Sequence, residues 1–148
     1  LYQYLVGNAE QSVSVTNRLK RMSHVEKVTE DLIRHYNAHP EFSDAAKEYI
    51  YKKTEGVILS YYVAGCIMNP NKRTGRSDCL RYNTMIRTLN PEIWNRVSRK
   101  FRIYLWMNRF GISYPMYEKM LHSGVYNKLR HNHKLEKENE AKTEENLK

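Results

Sequence analysis

The sequence predicts an all-α fold: an irregular bundle of about five helices, with a short extended segment at the N-terminus. Three observations carry this expectation. Apolar residues recur at helical spacing through most of the chain. Ser, Asn and Pro fall between those stretches, where they start and stop helices. The third is the run at 57–68, VILSYYVAGCIM, around which the rest is organised. Ser60 is its only clearly hydrophilic residue, so a helix here is apolar nearly all round and has to be enclosed by other elements. Val, Ile and Tyr also favour sheets, which makes a core strand the alternative. The length of the run and its helix-friendly lead-in at 43–55 favour the helix. Ala64 and Gly65 leave space for a second helix to approach closely.

The chain has 148 residues, about one domain. It divides into an extended segment and loop (1–13), a helical domain (14–126) and a charged tail of mixed sign (127–148). Residues 1–6, LYQYLV, alternate and read as a short strand ending at Gly7, followed by a small, polar loop. A lone terminal strand is not stable in water, so its partners are expected upstream or among the helices. A chain that opens on Leu1 rather than Met fits a piece of a longer protein.

The first helix is expected from Ser14 or Val15, with Val15, Leu19, Met22, Val25, Val28, Leu32 and Tyr36 on one face. It stops before Pro40. Ser43 caps the second helix and Asp44 suits the positive end of its dipole. Tyr49, Ile50, Val57, Ile58, Tyr61, Tyr62 and Met68 carry it into the core, and Gly56 reads as a packing site. It ends at Asn69-Pro70. Residues 71–75 read as a basic turn, and Ser77 or Asp78 caps a third helix through Leu80, Met85, Ile86 and Leu89. Asn90 caps a fourth helix with Pro91 at its first position. Ile93, Trp94, Val97, Phe101, Tyr104, Leu105 and Met107 form its apolar side, ending near Gly111. Met116, Met120 and Leu121 make a short fifth helix after Pro115.

The formal net charge is +9, consistent with nucleic acid, an anionic membrane surface or anionic substrates as partners. The surplus is uneven: ten of the cations lie between Lys72 and Arg109, opposed only by Asp78 and Glu92. Cys66 and Cys79 make no CxxC pair and no metal-type spacing. Cys66, inside the apolar run, reads as a buried free thiol of a reducing compartment. Nothing at the start resembles a signal peptide, and no apolar run reaches the roughly 20 residues of a membrane span. His24 and His35 are too far apart to share a metal, and His131-x-His133 lacks further ligands nearby, so no metal site is expected.

The opening LYQYLVGNAEQSVS resembles the end of the catalytic domain in bacterial family-2 glycosyltransferases. That family often reads Tyr-x-Tyr, two apolar residues, then Gly-Arg-Glu-Gly-Gln-Ser; Tyr2, Tyr4, Gly7, Gln11 and Ser12 match, while Asn8, Ala9 and Glu10 depart. HVEKVTEDLIRHY and the basic aromatic stretch NPEIWNRVSRKFRIYLWMNRFGISYP extend the likeness to about Arg130. The resemblance implies a GT-A-type transferase using a nucleotide-sugar donor and a divalent metal (Mg or Mn) in polysaccharide biosynthesis. The acceptor would be a glycan or a lipid-linked acceptor. Residues 1–13 would be the end of the catalytic domain and its connecting loop. No DxD, Gly-rich phosphate loop or signature Ser/His/Asp set is present, so the metal and nucleotide sites are expected upstream. This piece itself would hold no cofactor and no catalytic residue. Its role would be to support, dock or oligomerise its parent enzyme, in the cytoplasm and peripheral to the inner face of the membrane.

Two candidate sites follow. Gly7, Asn8, Gln11 and Ser12 would line the sugar-nucleotide site, with an ordinary connector as the plainer alternative. Arg96, Arg99, Lys100, Arg102, Trp106 and Arg109 would contact an anionic membrane surface, each well-placed cation contributing roughly 1 kcal/mol. The plainer alternative there is a solvated outer face. No helix-turn-helix, zinc-finger or RNA-binding signature supports nucleic acid as partner. Partners expected are the parent catalytic domain, the membrane and a second copy of the chain. A stand-alone basic helical module that binds nucleic acid or protein is the alternative function.

Overall fold

Residues 15–123 are described by a computed structural model, and they are all-α, with no strand among them. The extended segment, the loop residues Gly7, Asn8, Gln11 and Ser12, and the charged tail lie outside the described residues. Six α-helices and one π-helical turn run in order: α1 (Val15–Lys20), α2 (Met22–Ala38), α3 (Asp44–Tyr62), the π turn (Val63–Met68), α4 (Lys72–Leu89), α5 (Pro91–Arg109) and α6 (Tyr114–His122). They fall into two units, one ending at Ile112 and one beginning at Ser113. The second contains α6, which starts with Pro115 in its first turn.

The helix boundaries follow local chemistry. Ser43 Oγ accepts from the Ala46 N–H at 3.3 Å to cap α3. Asn90 Oδ1 accepts from the Ile93 N–H at 2.9 Å to cap α5, and Pro91 costs nothing where no N–H bond is needed. Gly111, at φ +67°, turns the chain out of α5 in a conformation that side chains with a Cβ rarely adopt.

Several expectations are corrected. The first helix breaks at Arg21 into α1 and α2. The deepest line of α2 is Thr29 and Ile33, not the apolar stripe, whose members are half-buried. Thr29 is satisfied there because its hydroxyl donates to Val25 O and pairs with the Tyr82 hydroxyl at 2.6 Å. α4 starts six or seven residues earlier than expected, because its cap is Asn71, whose Oδ1 accepts from the Thr74 N–H at 3.0 Å. The expected basic turn is therefore its first turn of helix. Gly56 is no packing site: it is exposed, and a Cβ there would meet nothing within 4 Å. Tyr49 and Leu80 point outward, being 63% and 43% exposed.

The run at 57–68 is the centre of the first unit. Ile58, Tyr61, Tyr62 and 64–68 are all buried. Its last turn widens into a π turn, with Asn69 N–H donating five residues back to Ala64 O at 2.9 Å. The widening serves a close approach to α4. A Cβ on Gly65 would stand 2.4 Å from Cys79 Sγ, and one on Gly75 would stand 2.0 Å from Gly65 O. The two backbones touch at Gly75, which excludes any side chain, while the obstacle at Gly65 is the Cys79 sulfur. Around this contact Tyr61 stacks on Tyr82 (3.8 Å between centroids) and Tyr62 meets Tyr82 edge-on. Phe101 of α5 lies 4.8 Å from the Tyr62 ring. Burial raises the pKa of Tyr61, Tyr62 and Tyr82, so all three stay neutral.

Candidate functional site: the basic faces of α4 and α5

The core side of α5 is built from Ile93, Val97 and Phe101, with Asn108 buried at its end. Helical spacing then fixes where its cations can go. Arg96 and Lys100, four residues apart, turn toward α3. Arg96 Nη1 donates to Glu48 Oε2 at 3.0 Å, and its guanidinium lies 4.0 Å over the Tyr51 ring. Lys100 Nζ donates to Glu55 Oε1 at 2.5 Å. Tyr51 donates to the same carboxylate oxygen at 3.1 Å, and burial, followed by the Glu55 charge, pushes its hydroxyl up to about 12. These two cations are therefore engaged within the fold.

Arg99, Arg102, Ile103, Trp106 and Phe110 share the opposite face, at i, i+3, i+4, i+7 and i+11. Ile103, Trp106 and Phe110 are 47%, 55% and 62% exposed. Trp106 and Phe110 pack ring to ring at 4.6 Å. Arg99, Arg102, Ile103 and Trp106 line an open groove of about 320 Å³. Among the described residues neither Arg99 nor Arg102 is in an ion pair. The surface thus combines free guanidinium groups with exposed aromatic and aliphatic surface on one helix.

Arg109 belongs elsewhere. It lines a second cleft of about 350 Å³ together with Lys72, Arg73, Arg76 and Asn108. The floor of that cleft is pinned. Lys72 Nζ donates to Ile67 O at 2.7 Å, Ile112 O at 3.1 Å and Cys66 O at 3.4 Å. Asn108 Nδ2 donates to Cys66 O at 3.0 Å and Lys72 O at 3.2 Å. Together they satisfy the carbonyls at the end of the π turn. Burial lowers the pKa of Lys72, with the neighbouring Cys66 opposing it.

The six α5 residues singled out from sequence thus divide three ways: Arg96 and Lys100 to α3, Arg99, Arg102 and Trp106 to the outer face, and Arg109 to the α4 cleft. Sequence reasoning missed Arg73, Arg76 and Asn108 as partners of Arg109. The signal was Asn71, a good helix cap standing just before a run of cations. Cys66 and Cys79 are buried, free thiols. A hydrogen bond to Cys66, then burial, raises the Cys79 pKa and keeps that thiol protonated. No group of three or more His, Cys, Asp or Glu is placed to hold a metal ion among the described residues. No helix among them is long and apolar enough to cross a membrane.

Compared with protein-family models, curated proteins and solved structures, the chain matches none.

Proposed function

We propose that this chain is the helical C-terminal part of a nucleotide-sugar-dependent glycosyltransferase, and that it docks its parent enzyme on an anionic membrane surface. The transferase half of the reading rests on the resemblance at Tyr2, Tyr4, Gly7, Gln11 and Ser12. The docking half rests on the outer face of α5, where Arg99 and Arg102 flank exposed Ile103, Trp106 and Phe110. This is the composition of an interfacial helix: basic groups for lipid headgroups and aromatic rings for the headgroup–acyl boundary. A docked support domain would bring a transferase to a lipid-linked acceptor. The donor and the metal would be held by the catalytic part, not by these helices.

Co-sedimentation with vesicles tests the docking half. Vesicles of phosphatidylcholine with phosphatidylserine should pellet the protein at low salt and release it at high salt, while pure phosphatidylcholine should not. Arg99→Glu with Arg102→Glu should abolish pelleting and leave the circular dichroism unchanged. Pelleting that persists in this variant, or none by the unmodified chain, contradicts docking. The parent reading frame tests the transferase half. An upstream α/β region with paired aspartates after a strand supports it. A start codon directly before Leu1 contradicts it and leaves a stand-alone basic helical module.

A further inference from the structure

We infer that the cleft between the first turn of α4 and the end of α5 is a binding site for a phosphomonoester or diphosphate group. Its lining is Lys72, Arg73, Arg76, Asn108 and Arg109: four cations, one amide and no acid. Arg73, Arg76 and Arg109 are in no ion pair among the described residues, whereas Arg34, Arg81 and Arg96 each hold a glutamate. Elsewhere in this fold, then, cations that have a carboxylate at hand use it. Here three guanidinium groups share one small space beside Lys72, whose ammonium already donates to backbone carbonyls, and their repulsion costs stability until an anion offsets it.

The chemistry selects the anion. Arg guanidinium groups are forks that match phosphate oxygens in pairs. Three of them around one cleft suit a group carrying more than one negative charge, rather than a single carboxylate. The lining contains no aromatic or aliphatic residue. Its volume, about 350 Å³, is at the small end for a ligand site and suits a headgroup-sized anion. The floor of the site, Lys72 and Asn108, is held in place before any ligand arrives. Lys72 and Asn108 make five hydrogen bonds there, three to the π-turn carbonyls Cys66 O and Ile67 O, one to Ile112 O and one to Lys72 O. The positive end of the α4 dipole adds to the attraction. The cleft shares no residue with the Arg99–Trp106 groove and does not depend on the membrane reading of that groove.

The phosphate could be a free anion or a lipid headgroup, and two titrations separate these sources. Inorganic pyrophosphate is titrated by calorimetry into the full chain. Vesicles of phosphatidylcholine with phosphatidic acid are compared with phosphatidylcholine–phosphatidylglycerol vesicles of equal anionic-lipid content. Each measurement is repeated on Arg73→Gln/Arg76→Gln, on Arg109→Gln at the opposite wall, and on Lys27→Gln/Lys53→Gln, exposed cations that line neither groove, as a charge-matched control. Pyrophosphate binding that falls at least tenfold in either cleft variant and is unchanged in the control establishes a site for free anions. A preference for phosphatidic acid that only the cleft variants lose establishes a headgroup site. Binding that is equal in all four proteins, or absent to both probes, overturns the inference.

Discussion

Two regions of the first unit contrast in how their polar groups are used. At the π turn every resource is committed. Gly65 and Gly75 bring two backbones into contact, and Lys72 and Asn108 collect the carbonyls that the widened turn leaves over. Among the described residues nothing comparable holds Arg99 or Arg102 on the outer face of α5, and Trp106 and Phe110 have each other as ring partners. The contrast separates cations that hold the fold from cations that are available for a partner. A tally of charge along the sequence does not make that distinction; Arg96 and Lys100 look like Arg99 and Arg102 until their glutamates are seen.

The committed region should break most easily. Gly75→Ala places a Cβ against backbone that cannot move, and should cost roughly 3 kcal/mol or more, or prevent folding, as measured by urea denaturation. Gly65→Ala meets the sulfur of Cys79 first, so Cys79→Ala should recover part of its loss, while Gly75→Ala should gain nothing from it. A Gly65→Ala defect untouched by Cys79→Ala would place the strain elsewhere.

Asn108→Ala should come next. It removes the amide that serves Cys66 O and Lys72 O in a buried place, a loss of about 1–3 kcal/mol. The uncommitted face should respond in the opposite sense. Arg99→Glu with Arg102→Glu should change stability by no more than about 0.5 kcal/mol, yet should remove vesicle binding. Last, Gly56→Ala should stabilise by about 0.5–1 kcal/mol, since the new methyl meets nothing and alanine favours the helix. Loss of stability there would restore Gly56 as a packing position.

Much of the fold was legible in the sequence, because caps and prolines act locally. Ser43, Asn90 and Pro91 begin helices where their chemistry requires. The buried run was legible from its nearly unbroken apolar composition, and the role of Gly65 from a small residue standing inside it. Gly56 and Tyr49 were misread, since a glycine or a tyrosine in a helical pattern does not reveal which face it takes. Asn71 was misread because it follows a proline and stands in a run that looks like a turn. Of the candidate site, sequence found the basic aromatic stretch but not its division. Which cation meets Glu48 or Glu55 depends on residues about 45 positions away. The cleft that joins Arg73 and Arg76 to Arg109 depends on two helices packing at one end, which no spacing rule in either helix contains.

The most direct test of the division between committed and available groups is the fluorescence of Trp106. The other tryptophan, Trp94, has a buried indole N–H without a hydrogen-bond partner among the described residues, so Trp94→Phe should be tolerated and leaves Trp106 as the only tryptophan reporter. On adding vesicles that contain phosphatidylserine, Trp106 emission should shift to the blue and become shielded from iodide, with no response to pure phosphatidylcholine. Emission and quenching that stay unchanged with anionic vesicles, while the protein remains folded, would contradict docking through this face.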